Sequence, residues 1–356
     1  MLVVLFAVLV LLAVVVRVLW SRGGRLVGGI AADLRLVDRL WGPMARRSDT
    51  AHHGVGDLVQ HYGLTTDRDY RWLGWVQGPG MHTRLTAPLC QDGNAGAARA
   101  AWLIYGELRV LLPRGQTYPQ RVLEVGCGRG FCTLLLASLC PDVVFEGIDV
   151  VPRHVDAATR AAEAAGLQNV TFRRHDAATA GPLDDRDGGG YDLIFGVESL
   201  CHLDTPGKRS DFLAAAHGAL APRNGRLAIL DAFATRRNGD ADEPGARALA
   251  CMQTGFHIHR FPTRRSWCTA EEDLLRPVAP FRSLTHEALP FWLRMARCVR
   301  RVARWCPCMV SNAASGNWGP RWRATADNLL GALFVAHTLD QGLCEYGLLV
   351  LGCCDD

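Results

Sequence analysis

The chain has 356 residues, of which 49% are hydrophobic and 21% are charged, and its formal net charge is +4. This composition excludes a disordered chain and indicates one large core or two modest ones, and the mild charge gives no indication of a nucleic-acid partner. The 13 cysteines show neither the spacing of a disulfide framework nor that of a zinc site, so we expect reduced thiols and no bound metal.

Residues 1–22 are expected to form an N-terminal membrane anchor. Residues 2–16 are an uninterrupted apolar run, and Arg17 is the single charge among the first 20 residues. As a helix, such a stretch is about 30 Å long, which matches the hydrocarbon thickness of a bilayer. Because arginines follow the apolar run, the positive-inside rule predicts a single-pass membrane protein whose remaining chain faces the cytosol. A cleaved signal peptide and a buried soluble helix are the alternatives.

Residues 23–52 are expected to be an amphipathic linker on the membrane surface, because arginines recur there among apolar residues. The rest of the chain, 53–356, is expected to be one domain. It begins with a segment rich in aromatic residues and histidine, which extends to about residue 90. Helical periodicity then predicts a helix over 95–112 that leads into the first strand.

Residues 122–130 combine an apolar run with three glycines at alternate positions, Gly126, Gly128 and Gly130, and with Glu124 two positions before the first glycine. Glycine lets the backbone turn sharply and approach a bound molecule closely, so the stretch predicts a ligand-binding turn between a strand and a helix. A dinucleotide fingerprint would need glycine where Phe131 stands. The stretch resembles the first motif of the class I S-adenosylmethionine-dependent methyltransferases.

From residue 121 onward, predicted strands and helices alternate. We expect strands at 121–125, 143–148, 169–173, 191–196 and 225–232, and helices at 130–140, 153–165 and 208–220. This order predicts an α/β fold with a Rossmann-like, doubly wound, mostly parallel sheet, with its cofactor-binding core at about 95–232. A helical cap or insertion is expected at about 235–342, with a short strand near 281–284, a helix at 323–338 and a last strand at 345–351. In the resembling family, the final strand is antiparallel and is inserted between two others.

The resemblance implies S-adenosyl-L-methionine as the cofactor. Asp149, at the tip of the second strand, is placed to accept both ribose hydroxyls. Asp176, after the third strand, resembles the family's acid that accepts the adenine amino group, with a solvated turn as the alternative. The candidate cofactor-binding residues are Glu124, Gly126, Cys127, Gly128, Gly130, Asp149, Val150, Asp176, Ala177 and Glu198.

Glu198 and His202 follow the fourth strand and are the candidate catalytic residues. Histidine titrates near neutrality, so His202 could take the proton that a methylated atom loses; the alternative is that it caps the following helix. The segment 198–202 resembles a motif of the sterol and tocopherol group of small-molecule methyltransferases, and residues 57–82 resemble that group's substrate cap. The candidate substrate-binding residues, with ordinary core packing as their alternative, are Tyr62, Tyr70, Trp75 and His82.

Residues 291–310 predict a basic amphipathic helix with five arginines on one side. Two interpretations stay open: a helix in the lipid headgroup layer, and a lid on the core with a solvated arginine face. The leading hypothesis is a membrane-tethered enzyme that methylates a lipid-like molecule such as a sterol, prenyl lipid or triterpene. The alternatives are N- or O-methylation of a polar metabolite, and a cofactor-binding scaffold without turnover.

Overall fold

A computed structural model of the protein describes residues 29–42, 55–65, 104, 106, 121–179, 181–183, 190–220, 225–235, 242–268 and 274–353. The expected anchor at 1–22 lies outside these ranges, as does the expected helix over 95–112 apart from two helical positions. Within the described ranges, no helix has the length and apolar character that a membrane crossing needs.

Helices and strands alternate through the first half of the described chain, and helices dominate the second. The helices are α1 (Ile30–Leu40), α2 (55–65), α3 (Phe131–Leu139), α4 (Pro152–Ala164), α5 (Pro206–Ala219), α6 (Glu243–Gly255), α7 (Arg264–Cys268), α8 (Thr285–Trp305), α9 (Pro307–Ala314) and α10 (Pro320–Asp340). The strands are β1 (Arg121–Val125), β2 (Val144–Asp149), β3 (Val170–Arg174), β4 (Leu193–Val197), β5 (Arg226–Ala234), β6 (Leu275–Pro277), β7 (Arg282–Ser283) and β8 (Cys344–Cys353).

The eight strands form one sheet in the order β3-β2-β1-β4-β5-β8-β6, with β7 also paired to β8. Strands β1 to β5 run parallel to one another, whereas β8 runs antiparallel to its neighbours β5 and β6. The prediction of a doubly wound, mostly parallel sheet is confirmed, and so is the antiparallel last strand inserted between two others. The central strands β1, β2 and β4 are buried on both faces, which explains their near-continuous apolar sequences.

Each face of the sheet packs on its own hydrophobic core. Val122 and Leu123 are consecutive residues of β1, and they belong to different cores because side chains alternate along a strand. The first core includes the helices α1, α3, α6, α8 and α10. The second core contains α5 and the indole of Trp267. Among the described residues, the sheet is therefore covered on both sides.

Helix α1 packs against other helices of the chain. This packing corrects the expected membrane-surface position of this part of the linker. Its apolar residues Leu34, Val37 and Leu40 are buried in the first core. Burial alone would raise the pKa of Asp33, but hydrogen bonds from His337 and Arg300 hold that pKa below its ordinary value. The surface of α1 that was expected to meet lipid headgroups is thus covered by the helices α6, α8, α9 and α10.

The basic segment 291–310 consists of two helices, where one was expected. Cys306 has a non-helical backbone between α8 and α9, because a residue before proline disfavours the helical conformation. Arg300 was expected on a solvated or lipid-facing side, yet it is buried, and its Nε lies 2.7 Å from Asp33 Oδ1 and 2.8 Å from Asp33 Oδ2. Met295 and Val299 are buried as expected. Helix α8 therefore packs on the core, as the lid interpretation requires.

Candidate active site

A glycine-rich turn joins β1 to α3. Gly126, Gly128 and Gly130 have φ angles of 70°, 53° and 81°, a left-handed region that residues with a side chain rarely adopt. A Cβ on Gly126 would lie 2.4 Å from the Cβ of Ser199, so this position has no room for a side chain. A Cβ on Gly128 would meet nothing within 4 Å. The backbone at Gly128 therefore borders open space.

That open space is a cavity at the carboxyl ends of β1 to β4, where ligands bind in open α/β sheets. Nine of the candidate cofactor-binding residues line it: Glu124, Gly126, Cys127, Gly128, Asp149, Val150, Asp176, Ala177 and Glu198. Gly130 is the exception; a Cβ there would meet Phe172 at 2.8 Å and Ala158 at 2.9 Å, so this position packs closely against neighbouring elements. Its assignment as a ligand contact stays a prediction.

Asp149, the last residue of β2, supports the glycine-rich turn. Its Oδ2 accepts a hydrogen bond from the backbone N–H of Gly128 at 2.8 Å, and its Oδ1 accepts one from Val151 N–H at 2.8 Å. His154 Nδ1 lies 3.3 Å from the same Oδ1. A carboxylate offers about four acceptor positions, so each oxygen can still accept a ligand hydroxyl. Asp149 is thus suited both to shaping the turn and to binding a diol.

Glu124 lies at the base of the cavity on β1 and is buried. Its Oε2 accepts hydrogen bonds from the backbone N–H of Thr133, at 2.9 Å, and from the Thr133 hydroxyl. Burial raises the pKa of Glu124 to about 8; the bonds from Thr133 oppose that rise, and the charge of Asp149 adds to it. A cation placed beside Glu124 would lower this pKa again, so the site favours a positively charged ligand group.

The turn after β3 carries Asp176 and Ala177, and both line the cavity. Asp176 Oδ1 accepts a hydrogen bond from the backbone N–H of Ala178 at 3.0 Å, so this side chain does stabilise its own turn. The turn is also fixed to β2, because His175 N–H donates to the Asp149 carbonyl at 3.1 Å. The two roles expected for Asp176 are therefore compatible: it closes a turn and it faces the ligand space.

Glu198 follows β4 in a conformation that is unusual for a residue with a side chain. Its φ is 49°, and its N–H donates to the Leu230 carbonyl at 2.9 Å. Such a conformation costs on the order of 1–3 kcal/mol and often occurs at functional sites. Burial, together with Glu198 and Asp231, raises the pKa of Tyr346 well above its ordinary range, and the Tyr346 side chain is hydrogen-bonded to Glu198. The backbone strain holds the Glu198 carboxylate between this tyrosine and the cavity.

His202 lies in a short helical turn, Leu200–His202, and meets Tyr62 of α2 across the cavity wall. The His202 Nε2 and Tyr62 Oη atoms are 2.9 Å apart, and the two rings meet edge to face with centroids 5.2 Å apart. The alternative role as a helix cap is wrong, because Thr205 caps α5 by accepting a hydrogen bond from Lys208 N–H at 3.3 Å. Tyr62, expected to contact substrate, is thus also a partner of the candidate base.

Three predicted site residues lie outside the described residues, and two residues that line the cavity were not predicted. Tyr70, Trp75 and His82 are not among the described residues, so their assignment to substrate binding stays a prediction. His154 lines the cavity beside Asp149 and was missed, because it lies inside a helix whose apolar pattern carries no functional signal. Ser199 was also missed, although its place between the two candidate catalytic residues was a signal.

Comparison with known proteins gives the class of this domain. Residues 122–223 match the family described as a methyltransferase domain. The match runs from β1 to just beyond α5, so it includes the glycine-rich turn, Asp149, Asp176 and His202. The methyltransferase resemblance is confirmed for residues 122–223, and the Rossmann-like fold is confirmed, while the narrower resemblance to the sterol and tocopherol group stays a prediction.

The curated relatives are similar over short stretches. Ribosomal RNA small subunit methyltransferase G of Bacteroides fragilis is 46% identical over 52 residues, which are 15% of this chain and 25% of that protein. Aklanonic acid methyltransferase DauC of a Streptomyces species is 34% identical over 103 residues, which are 29% of this chain and 40% of that protein. The chain thus spans about a quarter to two-fifths of the length of these relatives.

A solved structure extends the similarity to nearly the whole fold. It is the geranyl diphosphate C-methyltransferase of Streptomyces coelicolor in complex with Mg²⁺, geranyl-S-thiolodiphosphate and S-adenosyl-L-homocysteine. The TM-score is 0.52 at 16% identity, with 96% of this chain and 97% of that chain covered. At this identity the similarity shows a shared fold.

Proposed function

We propose that the protein binds S-adenosyl-L-methionine in this cavity and transfers its methyl group to a small molecule. The observation that carries the proposal is the contact between Tyr62 and His202 on the wall of the cavity that also contains Gly128 and Asp149. A proton acceptor and a glycine-rich nucleoside site thus share one space. When bound, the cofactor would supply an electrophilic methyl group on a positively charged sulfur.

The residues around the cavity divide into groups that suit the parts of this cofactor. Asp149 would accept the ribose hydroxyls while it keeps its bond to Gly128. Asp176 and Ala177 would contact the adenine ring from the turn after β3. Glu124, whose charged form is stabilised by a nearby cation, suits the ammonium end of the amino acid, since its pKa of about 8 would fall on binding.

The proton leaves the acceptor through Tyr62 and His202. In the neutral imidazole, Nε2 accepts the hydrogen bond from the Tyr62 hydroxyl, so the phenolic oxygen can accept one from the acceptor. When bound, the cofactor would supply the methyl group and would leave with its sulfur uncharged, and the acceptor atom would lose its proton on taking up that group. The acceptor's proton moves to Tyr62 as the tyrosine's own proton moves to His202. Holding the acceptor atom in line for the transfer would be the main source of rate acceleration.

The acceptor is proposed to be lipid-like, such as a sterol, prenyl lipid or triterpene. Helix α2 directs Val55, Leu58 and Tyr62 at the cavity, so the wall next to the candidate base is apolar and aromatic. Val55 and Leu58 offer no partners for the hydroxyls or charges of a polar molecule, and their contact with such groups would leave the desolvation of those groups uncompensated; Tyr62 offers one hydroxyl. A polar metabolite is the second candidate, because Arg129 and Lys208 also line the cavity.

Action at a membrane surface is part of the proposal. It is supported by the apolar sequence of residues 2–16 and by two exposed indoles at the end of the helical cap, Trp305 at 58% and Trp318 at 44% exposure. Exposed Arg304 lies beside Trp305. Tryptophan and arginine together are typical of surfaces that bind the interface of anionic membranes.

Product analysis tests the acceptor. Detergent-solubilised protein is incubated with methyl-labelled cofactor and with a lipid library or a library of polar metabolites, and the product mass is measured. Label in an organic-soluble product is the expected result, whereas label confined to water-soluble products would replace the lipid acceptor by a polar one. Calorimetric titration with S-adenosyl-L-homocysteine serves as the binding control, because heat without any methylated product would indicate a scaffold.

Vesicle flotation tests the membrane. Removal of residues 1–22 should release the protein into solution, and the truncated protein should still float weakly with anionic vesicles at low salt. Trp305→Ala with Trp318→Ala should abolish that residual flotation, whereas Leu139→Ala, an exposed apolar residue of α3, should not. Equal flotation of the truncated protein and of its double variant would remove this surface from the proposal.

A further inference from the structure

Two histidines and an aspartate form a compact cluster directly behind the Tyr62 wall of the cavity. His61, His257 and Asp327 offer one ligand atom each, and these atoms lie within 4.8 Å of one another. His61 is 3% exposed and Asp327 6%, so the cluster is shielded from solvent. The centroids of the two imidazole rings are 4.0 Å apart. No local sequence pattern indicated this cluster, since its members are far apart in the chain.

The geometry is close to that of a metal site. His257 Nε2 and Asp327 Oδ2 are 3.4 Å apart, the separation expected of two ligands in a tetrahedral site with bonds of about 2.0–2.1 Å. His61 Nε2 is 3.0 Å from Asn328 Oδ1; in the tautomer where Nε2 donates to that oxygen, Nδ1 carries the lone pair that a metal needs. Asp327 Oδ1 is buried and has no hydrogen-bond partner among the described residues.

We propose that His61, His257 and Asp327 bind one divalent transition-metal ion. Two imidazoles and one carboxylate are the ligand set of Zn²⁺, Co²⁺ or Fe²⁺, whereas Mg²⁺ and Ca²⁺ prefer sites made entirely of oxygen. The His257 and Asp327 ligand atoms already have the required separation, and the ion would shorten the widest separation in the cluster, 4.8 Å at most, by about 1.4 Å. Three protein ligands leave a coordination position for water.

The ion would position the candidate catalytic residues. His61 is the neighbour of Tyr62 in α2, and His257 is the neighbour of Phe256, whose carbonyl oxygen lies 3.4 Å from Tyr62 Oη. Asp327 belongs to α10, so one ion would join α2 to the turn after α6 and to the cap. His257 already has a left-handed backbone with φ of 54°, which directs its ring into the cluster. This positioning role depends on the proposed function, but metal binding itself does not.

Metal binding is measured on the full chain after treatment with a chelator. Equilibrium dialysis against Zn²⁺ and Co²⁺ is carried out for the original protein, His257→Gln, Asp327→Asn and His217→Gln, which removes an exposed imidazole of α5. The original protein and His217→Gln should bind one ion more per chain than the other two variants, or bind it at least ~10-fold more tightly. Zn²⁺ should also raise the Tm of the original protein and of His217→Gln, but not that of His257→Gln or Asp327→Asn.

Three results would overturn the proposal. One is the absence of Zn²⁺ and Co²⁺ binding, and another is equal binding by all four proteins. The third is a Co²⁺ spectrum with thiolate charge-transfer bands, which would assign the ion to some of the eleven cysteines of the described chain. Thermal unfolding in chelator shows whether each variant folds. Titration with S-adenosyl-L-homocysteine separates this question from the proposed function, because the cofactor should still bind when the ion is absent.

Discussion

The phenol of Tyr62 and the imidazole of His202 meet at 2.9 Å between Oη and Nε2, although 140 positions separate the two residues in the chain. Tyr62 belongs to helix α2, and His202 follows strand β4. The pair therefore joins α2 to the short helical turn that follows β4. Its two members are also the groups with which the proposed proton transfer can be tested most directly.

Replacing His202 by alanine should lower kcat by roughly 10²-fold or more, because the proton acceptor is lost. Tyr62→Phe should lower kcat by a comparable factor, because it keeps the ring but removes the hydroxyl through which the proton passes to His202. Single-turnover methyl transfer at saturating cofactor is the measurement, with His217→Gln as the matched control. A rise in KM alone for either variant would restrict that residue to positioning the acceptor.

Asp149→Ala should weaken the binding of S-adenosyl-L-homocysteine by about 1–3 kcal/mol, because two hydroxyls lose a charged acceptor and the turn at Gly128 loses a hydrogen bond. Calorimetric titration gives the affinity directly. Asp156→Ala, on the exposed side of α4, is the control. An unchanged affinity for Asp149→Ala would contradict the assignment of ribose binding.

The raised pKa of Glu124 predicts that the stability of the protein depends on pH. This pKa is about 8 in the folded protein, against an ordinary value of 4.5 that applies to the unfolded chain, so the folded state retains a proton that the unfolded state releases. Its stabilising contribution is complete below pH 4.5 and is lost as pH rises through about 8. Between pH 5 and 8, this single group should lower the free energy of unfolding by on the order of 3 kcal/mol.

Glu124→Gln isolates that contribution, because glutamine keeps an oxygen that can accept the hydrogen bond from Thr133 and has no proton to lose. Urea unfolding without cofactor, from pH 5 to pH 8, should show a smaller decline in stability for Glu124→Gln than for the original protein. Glu163→Gln, at an exposed position of α4, should follow the original protein. Identical pH profiles for all three proteins would rule out the raised pKa.

Arg300→Met should destabilise the protein by about 3–5 kcal/mol, because among the described residues it leaves the buried Asp33 carboxylate with His337 as its remaining side-chain partner. Arg304→Met changes the same residue type at an exposed position of the same helix, and it should change stability by less than about 0.5 kcal/mol. Chemical unfolding at pH 7 measures both. Equal effects of the two substitutions would show that the ion pair between α1 and α8 contributes nothing specific.

The same pair predicts a loss of stability in acid. Hydrogen bonds from His337 and Arg300 keep the pKa of Asp33 below its ordinary value despite burial. Its contribution to stability is therefore present above the ordinary pKa of an aspartate and is lost as pH falls through the lower, folded-state value. Limited proteolysis should then detect release of α1 at acidic pH before the sheet unfolds.

Local sequence was sufficient for the sheet and for much of the cofactor site. The strands β1, β2 and β4 are buried on both faces, so their apolar runs were visible without knowledge of their neighbours. The predicted elements from residue 121 to 234 lie within about two residues of the observed bounds. Gly126, Gly128, Asp149 and Asp176 follow consecutive strands, and the carboxyl ends of parallel strands necessarily meet at one edge.

The sequence could not decide which amphipathic surfaces face protein. The arginine pattern of 291–310 and the apolar residues of 30–40 were both compatible with lipid, because periodicity shows that a face is covered but not by what. Arg300 illustrates the difference. It lies on the expected arginine side of the helix, yet Asp33 of α1 turns that side into a buried ion pair.

By itself, the sequence determined the glycine-rich turn, the carboxylates at the strand tips and the alternation that produces a doubly wound sheet, because each depends on residues close together in the chain. Only the tertiary structure brought Tyr62 to His202, placed α1 on the cap and assembled His61, His257 and Asp327. These arrangements depend on how helices distant in sequence pack against one another, and no local pattern encodes that choice.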